Sequence, residues 1–268
     1  MIIFSFLLLI WGNNVSANAL PIAHRGASAY APENTISAIK KAIELRSPYI
    51  EIDVHMTKDG RVVALHDSSI DRTSNGKGDV SSFTLADLKK FDFGSWFDKK
   101  YQGEKIPTLE EVLKIVANQA KLIIELKYGH DRYNLIEDKI VSLVKRLKMN
   151  DQVILKSFNY NILEKFEIVA PGIERLYCTF GGNDWITIDN FIRFRGIFEH
   201  LTFQYLQVHK YFLNDSLIRK AHERNIKIIV WDVHDKKSIK KYGKMGVDYI
   251  ESNNPDLVIS TISSRDGE

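Results

Sequence analysis

Eight short apolar runs, each followed by a helical pattern or a long irregular insert, constrain this chain more than any other feature of its sequence. They begin near residues 20, 49, 121, 153, 173, 201, 226 and 247. Strands that alternate with helices pair in parallel. Eight of them in 268 residues make an α/β chain, and the fold that accommodates them is a closed (β/α)8 TIM barrel with a small insertion after the second strand. With 44% hydrophobic residues the chain can bury one large core, so a single domain over 20–268 is expected, with an inserted lobe over 67–105.

Barrels of this kind keep their reactive groups at the C-terminal ends of strands. The second run, Tyr49-Ile50-Glu51-Ile52-Asp53-Val54, carries carboxylates at i and i+2, which a strand projects side by side from one face. Such a pair needs a cation, a shared proton or a positive partner. Glu125 and Lys127 repeat the spacing on the third run. Glu51, Asp53 and Glu125 together offer oxygen ligands for a hard divalent cation, Mg2+ or Ca2+. His24 and His66 end two further apolar runs and suit proton transfer, because imidazole changes charge near neutral pH. Arg25 and Lys127 suit an anionic group such as a phosphate. Taken singly, each residue has a structural explanation as an ion-pair partner or a hydrogen-bonded histidine. That explanation must hold at four neighbouring places at once, which weakens it for the set. His55, His130, His200, His209, His222 and His234 lack ligand spacing and are read as surface or loop residues.

Asp59-Gly60 is a strong hairpin signal, and as a two-residue turn it sets Lys58 opposite Arg61 and His66 opposite Asp53. The pattern is then lost until about Lys105, where Phe91, Phe93, Trp96, Phe97 and Tyr101 either contact substrate or form the lobe's own small core. The second reading is the one taken. Helices are expected at 32–45, opened by Pro32-Glu33-Asn34-Thr35, and at 109–118, 133–147, 162–169, 184–198, 215–224, 237–245 and from Pro255.

The apolar run at 2–11 is too short to span a bilayer comfortably, and Ala17-Asn18-Ala19 has the small-x-small pattern of a secretory cleavage site. Residues 1–19 are therefore read as a signal peptide, which implies a secreted or periplasmic protein with no stable membrane partner. No Lys or Arg precedes the run, so an uncleaved membrane anchor is the alternative. Cys178 is the only cysteine, which excludes an intramolecular disulfide. A net charge of +3 from 37 basic and 34 acidic residues is too balanced to point to nucleic acid.

His24-Arg25-Gly26, Pro32-Glu33-Asn34-Thr35, Glu51-Ile52-Asp53-Val54, Thr57-Lys58-Asp59-Gly60, His66-Asp67, Asp71-Arg72-Thr73, Ile106-Pro107-Thr108-Leu109 and Glu125-Leu126-Lys127 resemble, in order and spacing, the glycerophosphodiester phosphodiesterase family. Ser157-Phe158, Trp231 and Gly246-Val247-Asp248 extend the resemblance over nearly all of the chain after the leader. It implies a TIM barrel with a small insertion and a divalent metal held by Glu51, Asp53 and Glu125. It further implies catalytic His24 and His66, phosphate contacts from Arg25 and Lys127, and a substrate contact from Trp231. The implied reaction is hydrolysis of a small-molecule glycerophosphodiester to glycerol 3-phosphate and an alcohol. The chain departs from the family pattern at its C-terminal end. Asp232 stands where Thr is usual after the tryptophan, and Ser252-Asn253 stands where Thr-Asp is usual. Two alternatives remain: a lysophospholipase D acting on lysophospholipids, and a non-catalytic barrel that binds a phosphorylated ligand.

Overall fold

The structure is a computed structural model that describes residues 19–129, 132–179 and 202–264. Its strands are β1 (Leu20–Ala23), β2 (Tyr49–Met56), β3 (Val62–Ala64), β4 (Lys121–Leu126), β5 (Val153–Ser157), β6 (Glu174–Thr179), β7 (Tyr205–His209), β8 (Lys227–Trp231) and β9 (Tyr249–Ser252). All but β3 pair in parallel, and β1 joins both β2 and β9, so eight strands close into a ring. β3 lies outside the ring, antiparallel to β2. The register sets Asp53 beside Glu125, and Glu125 beside Lys156.

Alternation along each strand divides the core in two. One set of side chains, including Ile50, Ile52, Ile124 and Leu155, packs outward with Ile39, Leu113, Ile140, Phe166 and Ile239 of the surrounding helices. The other set fills the ring with Ile22, Ile123, Ile154, Leu176, Cys178, Tyr205, Ile229 and Tyr249. Below this plug, at the N-terminal ends of the strands, the Tyr49 and Tyr249 hydroxyls meet at 3.2 Å. Tyr205 hydrogen-bonds Glu174, which pairs with Lys121 at 2.7 Å. The helices begin where local chemistry stops the chain being a strand. Thr108 and Glu111 form a capping box at the start of Leu109–Val116, and Thr35, Asn214 and Asp235 cap three others.

The insert shares a core with β3 and the flanking chain, in which Ile70, Val80, Leu88 and Phe93 pack with Val63, Leu65 and Ile106, with Phe83 and Phe91 against them. Trp96, Phe97 and Tyr101 form an edge-to-face row beside that core, and Trp96 is 39% exposed. Gly94 is required there, because a Cβ would overlap the Tyr101 carbonyl oxygen.

Two expectations are corrected. The hairpin loop holds three residues, Lys58-Asp59-Gly60, with Gly60 left-handed at φ +74° and the Thr57 N–H bonded to the Arg61 carbonyl. The ladder therefore pairs Val54 with Ala64, and Asp53 faces Leu65 instead of His66. His55 is not a surface residue. β2 runs two residues past Val54, and the imidazole is fully buried.

The helix expected at 184–198, the signal peptide expected at 1–19 apart from Ala19, and His130 and His200 lie outside the described residues. No helix among the described residues is long and apolar enough to cross a membrane.

Candidate active site

Glu51, Asp53 and Glu125 each offer a carboxylate oxygen within 4.8 Å of the others, and all three residues are buried. Three acids this close repel strongly in a poorly hydrated site. Three cations hold them. Lys127 Nζ lies 3.0 Å from Asp53 Oδ1 and 2.6 Å from Glu125 Oε1. Lys156 Nζ lies 2.9 Å from Glu125 Oε2, 3.2 Å from Glu51 Oε1 and 3.5 Å from Oε2 of Glu251 on β9. Arg25 donates its backbone N–H to Glu51 Oε2 at 3.0 Å, and its Nε faces Asp53 Oδ2 at 3.5 Å.

The acids respond differently to that setting. Burial pushes the Glu51 carboxyl up to about 8, more than Lys156 brings it down. Burial also acts on Asp53, but Lys127 and Arg25 outweigh it and hold that carboxyl well below its ordinary range. Glu125 is likewise lowered, with Lys156 and Lys127 outweighing burial. Burial works against the Lys127 ammonium, yet Asp53 and Glu125 keep it firmly charged. An all-oxygen donor set of this size and charge fits a hard divalent cation.

The loop after β1 turns sharply, with Arg25 and Asn34 both in the left-handed region at φ +54° and +57°. Asn34 uses the turn to donate to Asp53 Oδ2 at 2.9 Å and to accept from the Asp53 N–H at 3.1 Å. Arg25 reaches Glu33 at 2.9 Å, while its buried Nε has no hydrogen-bond acceptor.

Both candidate histidines have Nδ1 occupied. His24 Nδ1–H donates to Asn253 Oδ1 at 2.7 Å, and burial lowers its pKa against the pull of Glu251. The Asn253 N–H bonds His234 Nδ1 at 3.3 Å, and His234 Nε2–H donates to Asp232 Oδ1 at 2.7 Å. The two departures from the family pattern are thus members of one chain of contacts behind His24. His66 Nδ1–H donates to Asp67 Oδ1 at 2.6 Å. Arg72 joins Asp67 Oδ2 to both oxygens of Glu33. Burial alone would raise the Asp67 carboxyl, but Arg72 and His66 take it down to about 2. His66 bears on the cradle despite the shifted register, since its charge is among those that lower Asp53. His55 supports it from beneath, with Nε2–H on the His66 carbonyl at 3.1 Å and Nδ1 accepting from the Tyr133 hydroxyl at 2.9 Å.

Trp231 ends β8, half-buried, with its ring 5.9 Å from Phe158 and 5.0 Å from His209. The structure therefore gathers Arg25, Glu51, Asp53, Glu125 and Lys127 into one cluster, brings His24 and His66 to its edge, and places Trp231 at the same end of the ring. Sequence reasoning missed Glu33, Asn34, Asp67, Arg72, Lys156, Glu251 and Asn253 as site residues. For Lys156 and Glu251 a signal existed. Each is two residues beyond a plug residue, Ile154 or Tyr249, and so shares its face.

The family model for the glycerophosphoryl diester phosphodiesterase family matches residues 24–257. A glycerophosphodiester phosphodiesterase of Caldanaerobacter subterraneus subsp. tengcongensis is 36% identical over 91% of this chain and 97% of its own length. Among solved structures, an Oleispira antarctica phosphodiesterase in complex with the product sn-glycerol-3-phosphate is similar with a TM-score of 0.80 at 31% identity, covering 91% of this chain and 97% of that one. An Agrobacterium tumefaciens glycerophosphodiester phosphodiesterase aligns with a TM-score of 0.76 at 27% identity, over 91% of this chain and all of that one. By the extent of these matches the chain belongs to the glycerophosphoryl diester phosphodiesterase family.

Proposed function

We propose that this chain hydrolyses glycerophosphodiesters to sn-glycerol 3-phosphate and an alcohol, with Mg2+ or Ca2+ held by Glu51, Asp53 and Glu125. The observation that carries the proposal is the buried three-carboxylate cradle flanked by two imidazoles whose Nδ1 atoms are both occupied. The bound cation would supply Lewis-acid stabilisation of charge on the phosphoryl oxygens. The remaining steps belong to the chain itself. Lys127 and Arg25, whose side chains keep some exposure to solvent, bind the phosphoryl oxygens. Asn253 and Asp67 fix the imidazole tautomers, so Nε2 of each ring is left to move protons. One ring takes a proton from the nucleophile, and the other delivers one to the departing alcohol oxygen. Trp231 contacts the organic part of the substrate at the rim.

Two insert aromatics, Phe91 and Phe93, pack with the core that the lobe shares with β3, which favours a deacylated substrate over a lysophospholipid. A signal peptide over 1–19 would make this an exported enzyme, and N-terminal sequencing of the protein from culture medium or periplasm tests that. The catalytic reading is tested by glycerol 3-phosphate release from glycerophosphocholine with Mg2+, Ca2+ or EDTA, beside His66→Ala. Release lost with EDTA and in the variant is expected. No release with either metal refutes it: turnover of lysophosphatidylcholine would then identify a lysophospholipase D, and inactivity on both a binding protein.

A further inference from the structure

Lys156 is a cation of the mouth that plays no part in the steps above. Its side chain is 3% exposed, whereas that of Lys127 is 22% exposed. A phosphate arriving from solvent can meet Lys127, but Lys156 is closed off from it. The two lysines also take different oxygens of the shared acid, Lys127 holding Glu125 Oε1 and Lys156 holding Glu125 Oε2. We infer that Lys156, anchored by Glu251, is an internal competitor for the oxygens of Glu51 and Glu125 and so sets how tightly the cradle takes a divalent cation.

The inference rests on the metal-dependent reading above and extends it to residues that touch neither substrate nor solvent. An ammonium within 3.2 Å of one oxygen on each of two ligands satisfies lone pairs that a cation would otherwise use. Its charge also repels a divalent ion across a short, poorly screened distance. Glu251 keeps it there, with Oε2 at 3.5 Å from Nζ. Charge explains why such a competitor is useful. Glu51, Asp53, Glu125 and Glu251 face Arg25, Lys127 and Lys156, an excess of one negative charge when all are ionised. A divalent cation turns this into an excess of one positive charge, the complement of a phosphodiester monoanion. Without Lys156 the loaded mouth would be neutral and would hold the cation firmly but the anion poorly.

The test is calorimetric titration of Mg2+ and Ca2+ into the full chain after EDTA treatment and dialysis, for the wild type and Lys156→Met. At least tenfold tighter binding by the variant is expected; equal or weaker binding overturns the inference. Lys156→Met combined with Glu251→Gln preserves the formal charge and decides the matter should the single variant fail to fold. Tighter binding there too marks competition at the ligand oxygens, while wild-type or weaker affinity overturns it. A wild type that takes up neither cation would remove the metal-dependent reading itself. Wild-type binding with unchanged variants would remove only the role given to Lys156.

Discussion

The two ends of the barrel solve the same packing problem with different polar groups. At the floor, neutral phenols close the ring, and the Lys121–Glu174 pair beside them is a third exposed or more. Burial there pushes the Tyr49 hydroxyl up to about 12, which changes nothing near neutral pH. At the mouth, Glu51, Asp53, Glu125, Lys156 and Glu251 are ionisable groups buried together, most of them charged. Taking charges out of water costs several kcal/mol each, only partly returned by pairing. The floor is thus built for stability, and the mouth holds an arrangement that stability alone would not select.

Substitutions at the two ends should separate activity from stability in opposite directions. The largest effect is expected from Glu51→Gln, which should lower the rate of glycerol 3-phosphate release by about 10³-fold. It should leave metal-free thermal stability at neutral pH nearly unchanged, because a carboxyl raised to about 8 is already protonated there. A variant within tenfold of wild type would erase the contrast. Next, His234→Ala should cost about 10–100-fold in kcat with little change in KM, since it removes support from Asn253 and, through it, His24. Lower again is a pH effect on metal affinity. A ligand must be deprotonated, so acidification below the Glu51 value of about 8 should weaken divalent binding by about tenfold per pH unit, read by calorimetry. The same raised value means that folded, metal-free protein retains a proton the unfolded chain has released. Stability from this group is full below 4.5 and declines as pH rises towards 8. The smallest effect belongs to the floor. Tyr205→Phe should lower unfolding free energy by about 1 kcal/mol and leave kcat unchanged, and a loss of activity would show that the two ends are coupled.

The barrel was legible because its strands are buried on both faces and read as unbroken apolar runs between turn signals. The carboxylates and His24 were legible because strand phase and strand ends suffice to group them. Other features depended on details that pattern does not encode. The hairpin was misread by one residue because Asp59-Gly60 marks a turn without fixing its loop length, and the left-handed Gly60 closes a three-residue loop. Glu33 and Asn34 read as the opening of a helix, whereas the left-handed turn from Arg25 to Asn34 aims both at the site. His55 lies in phase with Glu51 and Asp53 but past the expected end of its strand. Lys156 and Glu251 meet only because a closed ring brings β5 and β9 across from each other.

Closure of that ring has a consequence for protein synthesis. β1 is hydrogen-bonded to β9, and His24 leans on Asn253, 229 residues further along the chain. His24, the first of the two candidate proton-transfer histidines to leave the ribosome, therefore waits for the segment that follows β9 before its ring is oriented. A nascent chain can hold the cradle of β2 and β4 early, yet orient the His24 ring only when the seam between β1 and β9 has formed. Turnover by this protein is in that sense a report that the ring has closed.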